Sequence, residues 1–519
     1  MRRRPWLLAL LAAPAAFLAL RADDRTLALR VWTFRLPGTQ LGMAAADMDG
    51  ERRKDLVIAH MSSIYGPERR ISVFLHGPPE RRFSDQPERA WDVPADACAF
   101  AVGDFSPAPG GEVALLCPDR VVLLEGGGAD NGHAPGGGRE VVRVQGFFDY
   151  PEDGALPAWD LVRDLDDDGF PELLVPTSTG YLILRRSGPD ATVAAAEKVD
   201  LPPEHRFGAG LETQLLNRFI SSSSRLRRLV VLDLDGDGRL DLVAYRKKGL
   251  ARFLQRPDGS FPERPDQEVP LAVVAESENE GKAREGTDAF ANLRLNMADL
   301  DGDGRAELIA TRTVGQVGVF ESMRTQHYVF KGLASGGWNE REPTAILSLK
   351  GISPEPELVD LDGDGKLDLS LASYRMDLYT NVKRAIFETM HIGYQVHLQR
   401  PGCTFDDDAD WDTDLEVPLS MLEKRGGAQA ATFAADLDGD GINDLVARQP
   451  DGSLRVIRGR RDGRSLAYRD QDARAVQVGQ TEPPWVVDLD GDGADELVLE
   501  PFGGDDARSR TVMLVGVAR

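Results

Sequence analysis

The residues best suited to chemistry in this chain are carboxylates set at fixed intervals. A nine-residue pattern, DxDxDGxx[DE], recurs along the sequence, and each copy runs directly into a short apolar stretch. Five copies are nearly identical: DLDGDGRLDLVAY from Asp233, DLDGDGRAELIAT from Asp299, DLDGDGKLDLSLA from Asp360, DLDGDGINDLVAR from Asp436 and DLDGDGADELVLE from Asp488. DLDDDGFPELLVP from Asp164 departs little from them. Carboxylates at positions 1, 3 and 5 put three hard oxygen donors on one side of a tight loop. Glycine at position 6 permits the turn that brings the position-9 carboxylate round to close the shell. Hard oxygens in a flexible loop suit Ca²⁺ better than Mg²⁺ or a transition metal, and the loops hold no His or Cys for a zinc site.

An EF-hand loop shares the first half of this pattern but requires Glu at position 12 and a helix beyond it. Position 12 here is Val175, Ala244, Ala310, Leu371, Ala447 or Leu499, and the residues after position 9 are β-formers, so the EF-hand reading fails in all six copies. Two further copies are degenerate. DMDGERRKDLVIA from Asp47 keeps carboxylates at positions 1, 3, 5 and 9 but carries Arg52 in place of the glycine. GDFSPAPGGEVALL keeps only Asp104 and Glu112, which predicts a metal-free turn of the same shape.

The spacing of these loops defines the elements that must position them. Successive first aspartates lie 57, 60, 69, 66, 61, 76 and 52 residues apart, so eight similar units cover the chain. After each apolar run comes a second strand candidate and a turn, as in FLHGPPERRFSDQPE from Phe74, FLQRPDGSFPERPD from Phe253 and HLQRPGCTFDDDAD from His397. A short strand follows, with WDVP at Trp91 and EVPL at Glu268 and Glu416. The order strand, acidic loop, strand, turn, strand, turn, strand is that of a four-stranded antiparallel propeller blade. A lone blade leaves both faces exposed, whereas a ring of blades buries them. The expected fold is therefore an all-β, eight-bladed β-propeller, with seven blades as the alternative should the Asp104 unit prove an insertion. The segment Thr26 to Leu36 is one strand too many for the first unit, and the last unit, with ELVLE and TVMLVGV, is one strand short. The N-terminal strand is expected to complete the last blade and close the ring.

The acidic loops and their β context resemble the FG-GAP/VCBS repeats of integrin α-subunit propellers and of many secreted bacterial proteins. In that family the loop joins two strands of a blade and binds calcium through side chains at positions 1, 3, 5 and 9 and the carbonyl at position 7. The resemblance implies ligands Asp164, Asp166, Asp168 and Glu172; Asp233, Asp235, Asp237 and Asp241; Asp299, Asp301, Asp303 and Glu307. It continues with Asp360, Asp362, Asp364 and Asp368; Asp436, Asp438, Asp440 and Asp444; Asp488, Asp490, Asp492 and Glu496. Asp47, Asp49, Glu51 and Asp55 would form a further site, giving six to seven Ca²⁺ in all. Function implied by the resemblance is ligand binding, adhesion or a structural interaction role, with a protein or glycan partner. A calcium-dependent polysaccharide lyase acting on extracellular glycans is the enzymatic alternative.

Composition agrees with many turns and short elements: 53 Gly and 32 Pro in 519 residues, with 42% hydrophobic residues for a core. A net charge of −24 repels a nucleic-acid backbone, which excludes that class of partner. The basic runs Arg225 to Arg228 and Arg458 to Arg461 read as solvated strand ends. Arg2, Arg3 and Arg4 followed by the apolar stretch Trp6 to Leu20 read as a signal peptide over residues 1–22, preceding one propeller domain over 23–519. The stretch is short for a membrane span, and an uncleaved anchor is the other reading. The mature chain is thus expected outside the cytoplasm, as a secreted, periplasmic or cell-surface monomer. Cys98 and Cys117 flank one loop, as a cross-strand disulfide or as two buried thiols, while Cys403 stands alone. No HExxH, GxSxG or phosphate-binding glycine loop occurs, and His60, His327, His391 and His397 read as structural, so no catalytic residue is assigned. The long segments Ala244 to Asp299 and Leu369 to Asp436, the latter including Phe405 to Trp411, are expected to supply loops on one rim.

Overall fold

The apolar run after each acidic loop forms a strand that is buried on both faces. In Asp55–Met61 all but the last residue are buried, and Asp444–Arg448 is buried throughout. Such strands do not alternate polar with apolar because both faces meet neighbouring sheets. The fourth strands do show solvent: Ala194–Asp200 and Gln267–Pro270 are largely exposed. The computed structural model describes residues 27–500 and 511–517, apart from 62–67, 78–81, 85, 125–137, 150–153, 213–216, 247, 275–288, 317–322, 335, 376–387, 420–428 and 464. The signal peptide predicted over 1–22, and parts of both long inter-motif segments, lie outside the described residues.

These residues form eight four-stranded antiparallel sheets arranged as blades. Blade 1 begins at Thr39, blade 2 at Ala99, blade 3 at Val162, blade 4 at Leu229, blade 5 at Ala289, blade 6 at Glu357, blade 7 at Ala431 and blade 8 at Trp485. Each of the eight hydrophobic clusters lies at one seam between adjacent blades. The cluster at the closing seam packs Phe34, Val498 and Leu514 of blade 8 against Leu56, Ile58 and Phe74 of blade 1. At the seam of blades 2 and 3 the first strand of blade 2 meets the segment that leads into blade 3: Phe100 N–H donates to the Pro157 carbonyl at 3.1 Å and Trp159 N–H to the Phe100 carbonyl at 2.6 Å.

Ring closure follows the sequence expectation. Leu29–Arg35 pairs antiparallel with Thr511–Val517, from Leu29 opposite Val517 to Arg35 opposite Thr511, and forms the outer strand of blade 8. The Asp104 unit is a complete blade, so the count is eight. One element lies outside the expected plan: a two-stranded hairpin, Glu204–Glu212 with Asn217–Arg225, inserted between blades 3 and 4. The basic run from Arg225 leaves this hairpin for blade 4.

Candidate metal centres

Every acidic loop joins the first and second strands of its blade, so all eight lie on one face of the ring. Three features fix each loop there. Position 2 is a buried apolar plug: Met48, Phe105, Leu165, Leu234, Leu300, Leu361, Leu437 and Leu489 are at most 2% exposed. Each plug belongs to the cluster at the seam with the following blade; Leu234, for example, packs with Leu308 and Phe330 of blade 5. The invariance of this apolar residue among the repeats carried that signal in the sequence, where only the carboxylates were singled out.

The second feature is a clasp. In all eight loops the amide at position 2 donates to the carboxylate at position 9, at 2.7 to 3.1 Å. In five loops the other position-9 oxygen accepts an amide from just beyond the third strand, His76, Gln255, Gly332 or Gln399, or, in blade 7, from Gly459 within it. The third feature links loop to loop. The position-8 amide donates to a position-1 or position-2 carbonyl of the preceding loop at five seams, as from Lys54 to Leu489, Gly111 to Asp47, Leu367 to Leu300, Asn443 to Leu361 and Asp495 to Asp436. In blade 3 position 8 is Pro171, which has no N–H to give.

Within the loop, the position-1 carboxylate accepts amides from positions 4 and 6. For Asp233 these come from Gly236 and Gly238, both at 2.8 Å, and for Asp436 from Gly439 at 2.8 Å and Gly441 at 2.7 Å. Both glycines are left-handed, with φ of 77° and 82° in the Asp233 loop, a conformation that costs glycine nothing. In the Asp47 loop Arg52 adopts the same conformation at φ 68° and donates to Asp47 at 2.7 Å. The loop shape thus survives loss of the glycine at a strain of about 1 kcal/mol.

Ligand atoms of positions 1, 3 and 9 come within 4.8 Å of one another in the loops of Asp47, Asp164, Asp233 and Asp360; in the Asp299 loop, positions 1, 3 and 5 do so. The position-5 carboxylates of Asp168, Asp237 and Asp364 are held by the amide at position 7, at 2.9 to 3.0 Å. The position-3 Oδ1 atoms of Asp166, Asp235, Asp301, Asp362 and Asp438 are buried and accept no hydrogen bond among the described residues. The same orphaned oxygen in five loops is the donor a bound cation would use, since an unpartnered buried carboxylate oxygen is costly. Burial, reinforced by the neighbouring carboxylates, raises the position-9 groups: Asp55 and Asp241 to about 6, Glu172, Glu307 and Asp368 to about 7, and Asp444 to about 8. A divalent cation would relieve that stress. The donor set is all carboxylate oxygen, which fits Ca²⁺ as the sequence proposes.

Protein cations also reach these loops, and the sequence reading missed them. Arg185 lies 3.3 Å from Asp166 and 3.2 Å from Glu172, and Lys331 pairs with Asp301 and Asp303. Arg458 pairs with Asp438 at 2.6 Å and Asp440 at 2.7 Å. Each of the three directly follows the third strand's pairing with the second and sits opposite position 9, a register invisible in a single sequence. Arg458 is buried and Arg461 pairs with Asp362 of blade 6, so the run from Arg458 to Arg461 is not a solvated strand end. The reason is electrostatic: carboxylates drawn together in the loops recruit cations from the adjoining strand.

Blade 2 shows the loop without metal ligands. Its clasp persists, with Phe105 N–H donating to Glu112 at 2.8 Å, while the Arg186 guanidinium pairs with Asp104 at 2.5 Å and lies 3.9 Å over the Phe170 ring of the next loop. Elsewhere, His60 and His327 are buried, held by Ser72, and by Thr311 and Ser353, and burial lowers them to about 4 and about 3. Cys98 and Cys117 face each other across adjacent strands as free buried thiols, and Cys403 is also free and buried. No helix among the described residues is long and apolar enough to cross a membrane.

No curated protein matches the sequence. Among solved structures, the chain is similar to an Agrocybe aegerita lectin that recognises non-reducing terminal N-acetylglucosamine, at 16% identity and TM-score 0.40, over 94% of this chain and 98% of that one. It is similar to the Photorhabdus luminescens Tc holotoxin pore at 14% identity and TM-score 0.32, over 89% of this chain and 18% of that one. It is also similar to the Vibrio cholerae biofilm matrix protein Bap1 at 13% identity and TM-score 0.23, over 92% and 77% of the two chains. The FG-GAP-like repeat model matches residues 233–310, 299–370 and 436–499, stretches that contain five of the clasped acidic loops described above. The chain thus carries FG-GAP-like repeats within an eight-bladed propeller of four-stranded antiparallel sheets.

Proposed function

We propose that this chain is an exported, calcium-loaded propeller that acts as an interaction module for a protein or glycan ligand rather than as an enzyme. The observation that carries the calcium assignment is the orphaned position-3 oxygen, buried at the same place in five loops. An FG-GAP propeller fits a ligand-binding role because closed blades supply a rigid ring whose surface loops vary without disturbing the seams. Export is supported by the basic residues Arg2 to Arg4 and the apolar stretch that follows, and by the match between weak extracellular calcium sites and millimolar calcium outside the cytoplasm.

Equilibrium dialysis against Ca²⁺ followed by elemental analysis tests the metal assignment. Six to seven bound ions per chain are expected from the loops that keep all four carboxylates. One or none would overturn the reading. A fusion of residues 1–30 to a reporter that works only after export tests the second half, and a silent fusion would refute the signal.

A further inference from the structure

The face opposite the acidic loops carries a different chemistry. A cleft of about 1230 Å³ opens there, across the starts of blades 3, 4, 5 and 6. Arg225, Arg227, Arg228, Arg246 and Arg294 line it, together with Asp160, Glu204 and Glu355, so the lining is net positive on a chain of net charge −24. Three of these arginines have acidic partners: Arg227 with Glu204 at 2.9 Å, Arg228 with Glu355 at 2.9 Å and Arg246 with Glu268 at 3.6 Å. Arg225 and Arg294 are exposed and have no ion pair among the described residues. Tyr245 forms part of the wall beneath Arg228, whose guanidinium lies 5.4 Å from the ring centre, and its buried hydroxyl lacks a hydrogen-bond partner among the described residues. The run from Arg225, which the sequence predicts to be a solvated strand end, is one wall of this cleft.

We propose that the cleft binds an acidic polysaccharide, a hydroxyl-rich chain bearing carboxylates or sulfates. Two guanidinium groups without acidic partners supply planar forks suited to such anions. The three carboxylates interleaved among the arginines decide between polyanions. They repel a polymer whose groups along the cleft are only acids, such as an acidic peptide or a phosphodiester chain, but accept hydrogen bonds from sugar hydroxyls. The cleft is larger than the usual small-molecule pocket and open along one side, which suits a segment of chain. The overall negative field disfavours a bulky anionic body, yet a thin strand within the cleft lies inside the screening length of the local arginines.

The inference rests on the reading of this chain as an interaction module, and the experiment separates the two. Binding of hexagalacturonate and of a heparin hexasaccharide is measured by calorimetry on the full mature chain in about 1 mM calcium, with neutral maltohexaose, hexaglutamate and a single-stranded oligonucleotide as comparisons. One of the two acidic saccharides is expected to bind, at least about ten-fold more tightly than any comparison. The Arg225→Gln/Arg294→Gln variant is expected to lose at least about ten-fold, while Arg143→Gln, on the outer strand of blade 2, should not change affinity. The two cleft residues are exposed, and an unchanged melting midpoint confirms that the variant is folded. Equal binding of maltohexaose, tighter binding of hexaglutamate or the oligonucleotide, no effect of the double substitution, or no binding of either acidic saccharide would each overturn the proposal. Midpoints with calcium and with chelator, taken on the same samples, report on the metal reading independently.

Discussion

The loops of blade 2 and blade 4 occupy equivalent places in the ring and differ in what closes them. Both keep the clasp from position 2 to position 9, Phe105 to Glu112 at 2.8 Å and Leu234 to Asp241 at 3.1 Å. In blade 2 the one carboxylate left at the loop mouth, Asp104, is neutralised by Arg186, whose side chain is 2% exposed. In blade 4, Asp233, Asp235 and Asp241 bring ligand atoms within 4.8 Å of one another, and Asp235 keeps a buried oxygen without a partner among the described residues. The fold therefore uses positions 2 and 9 in every blade, while carboxylates at positions 3 and 5 occur only in the seven loops proposed to hold a metal ion. Positions 3 and 5 are the ones that blade 2 lacks, with Ser106 and Ala108 in place of carboxylates.

Substitutions sharpen that division, beginning with the one of largest effect. Asp241→Ala should cost about 2 to 5 kcal/mol in denaturant unfolding, because it leaves the amides of Leu234 and Gln255 buried without acceptors. Much of that loss should persist in chelator, and Glu112→Ala in blade 2 should behave the same way with no calcium dependence at all. A clasp variant whose cost vanished in chelator would mean that position 9 is a ligand and not an architectural element.

Arg186→Gln comes next. Removing one partner of a buried pair usually costs several kcal/mol, but Asp104 is 44% exposed at its side chain and water offsets part of the loss, so about 1 to 2 kcal/mol is expected, equal with and without calcium. Calcium rescue of this variant would show that the Asp104 loop can bind metal after all. Asp235→Ala should cost about 1.4 kcal/mol in about 1 mM calcium, the linkage energy of one site with a dissociation constant of about 0.1 mM. In chelator it should cost nothing, or stabilise slightly, since it removes one of several crowded carboxylates.

The smallest effect concerns pH. Position-9 groups have folded values raised above their ordinary ones, so without metal they favour the folded chain at low pH, and that stability is lost as pH rises through about 6 to 8. A bound cation needs them ionised and must displace their protons. The rise in melting midpoint produced by about 1 mM calcium should therefore be greater at pH 8 than at pH 5.5. An equal rise at both would mean that the position-9 carboxylates do not share the field of the ion.

Much of this organisation was legible in the sequence because the acidic repeat marks one fixed point in every blade. Counting strands between marks gave the eight blades, and the surplus strand before Asp47 gave the closure with Thr511–Val517. The hairpin Glu204–Glu212 with Asn217–Arg225 was not legible, since its Gly- and Ser-rich strands lack both strong β propensity and alternation. The cations opposite position 9 were missed for a different reason. Arg185, Lys331 and Arg458 follow the acidic pattern by a different number of residues in each blade, and only strand register brings them to it. Register also turned the run from Arg458 from a surface feature into part of a loop.

The central claim is that the acidic loops are stabilising metal sites. Thermal unfolding of the chain in excess chelator and in about 1 mM calcium tests it most directly. Linkage at about 1.4 kcal/mol per site over six sites predicts on the order of 8 kcal/mol, comparable with the net stability of a whole domain, and hence a large rise in the midpoint with calcium. A midpoint unchanged between the two conditions would contradict it.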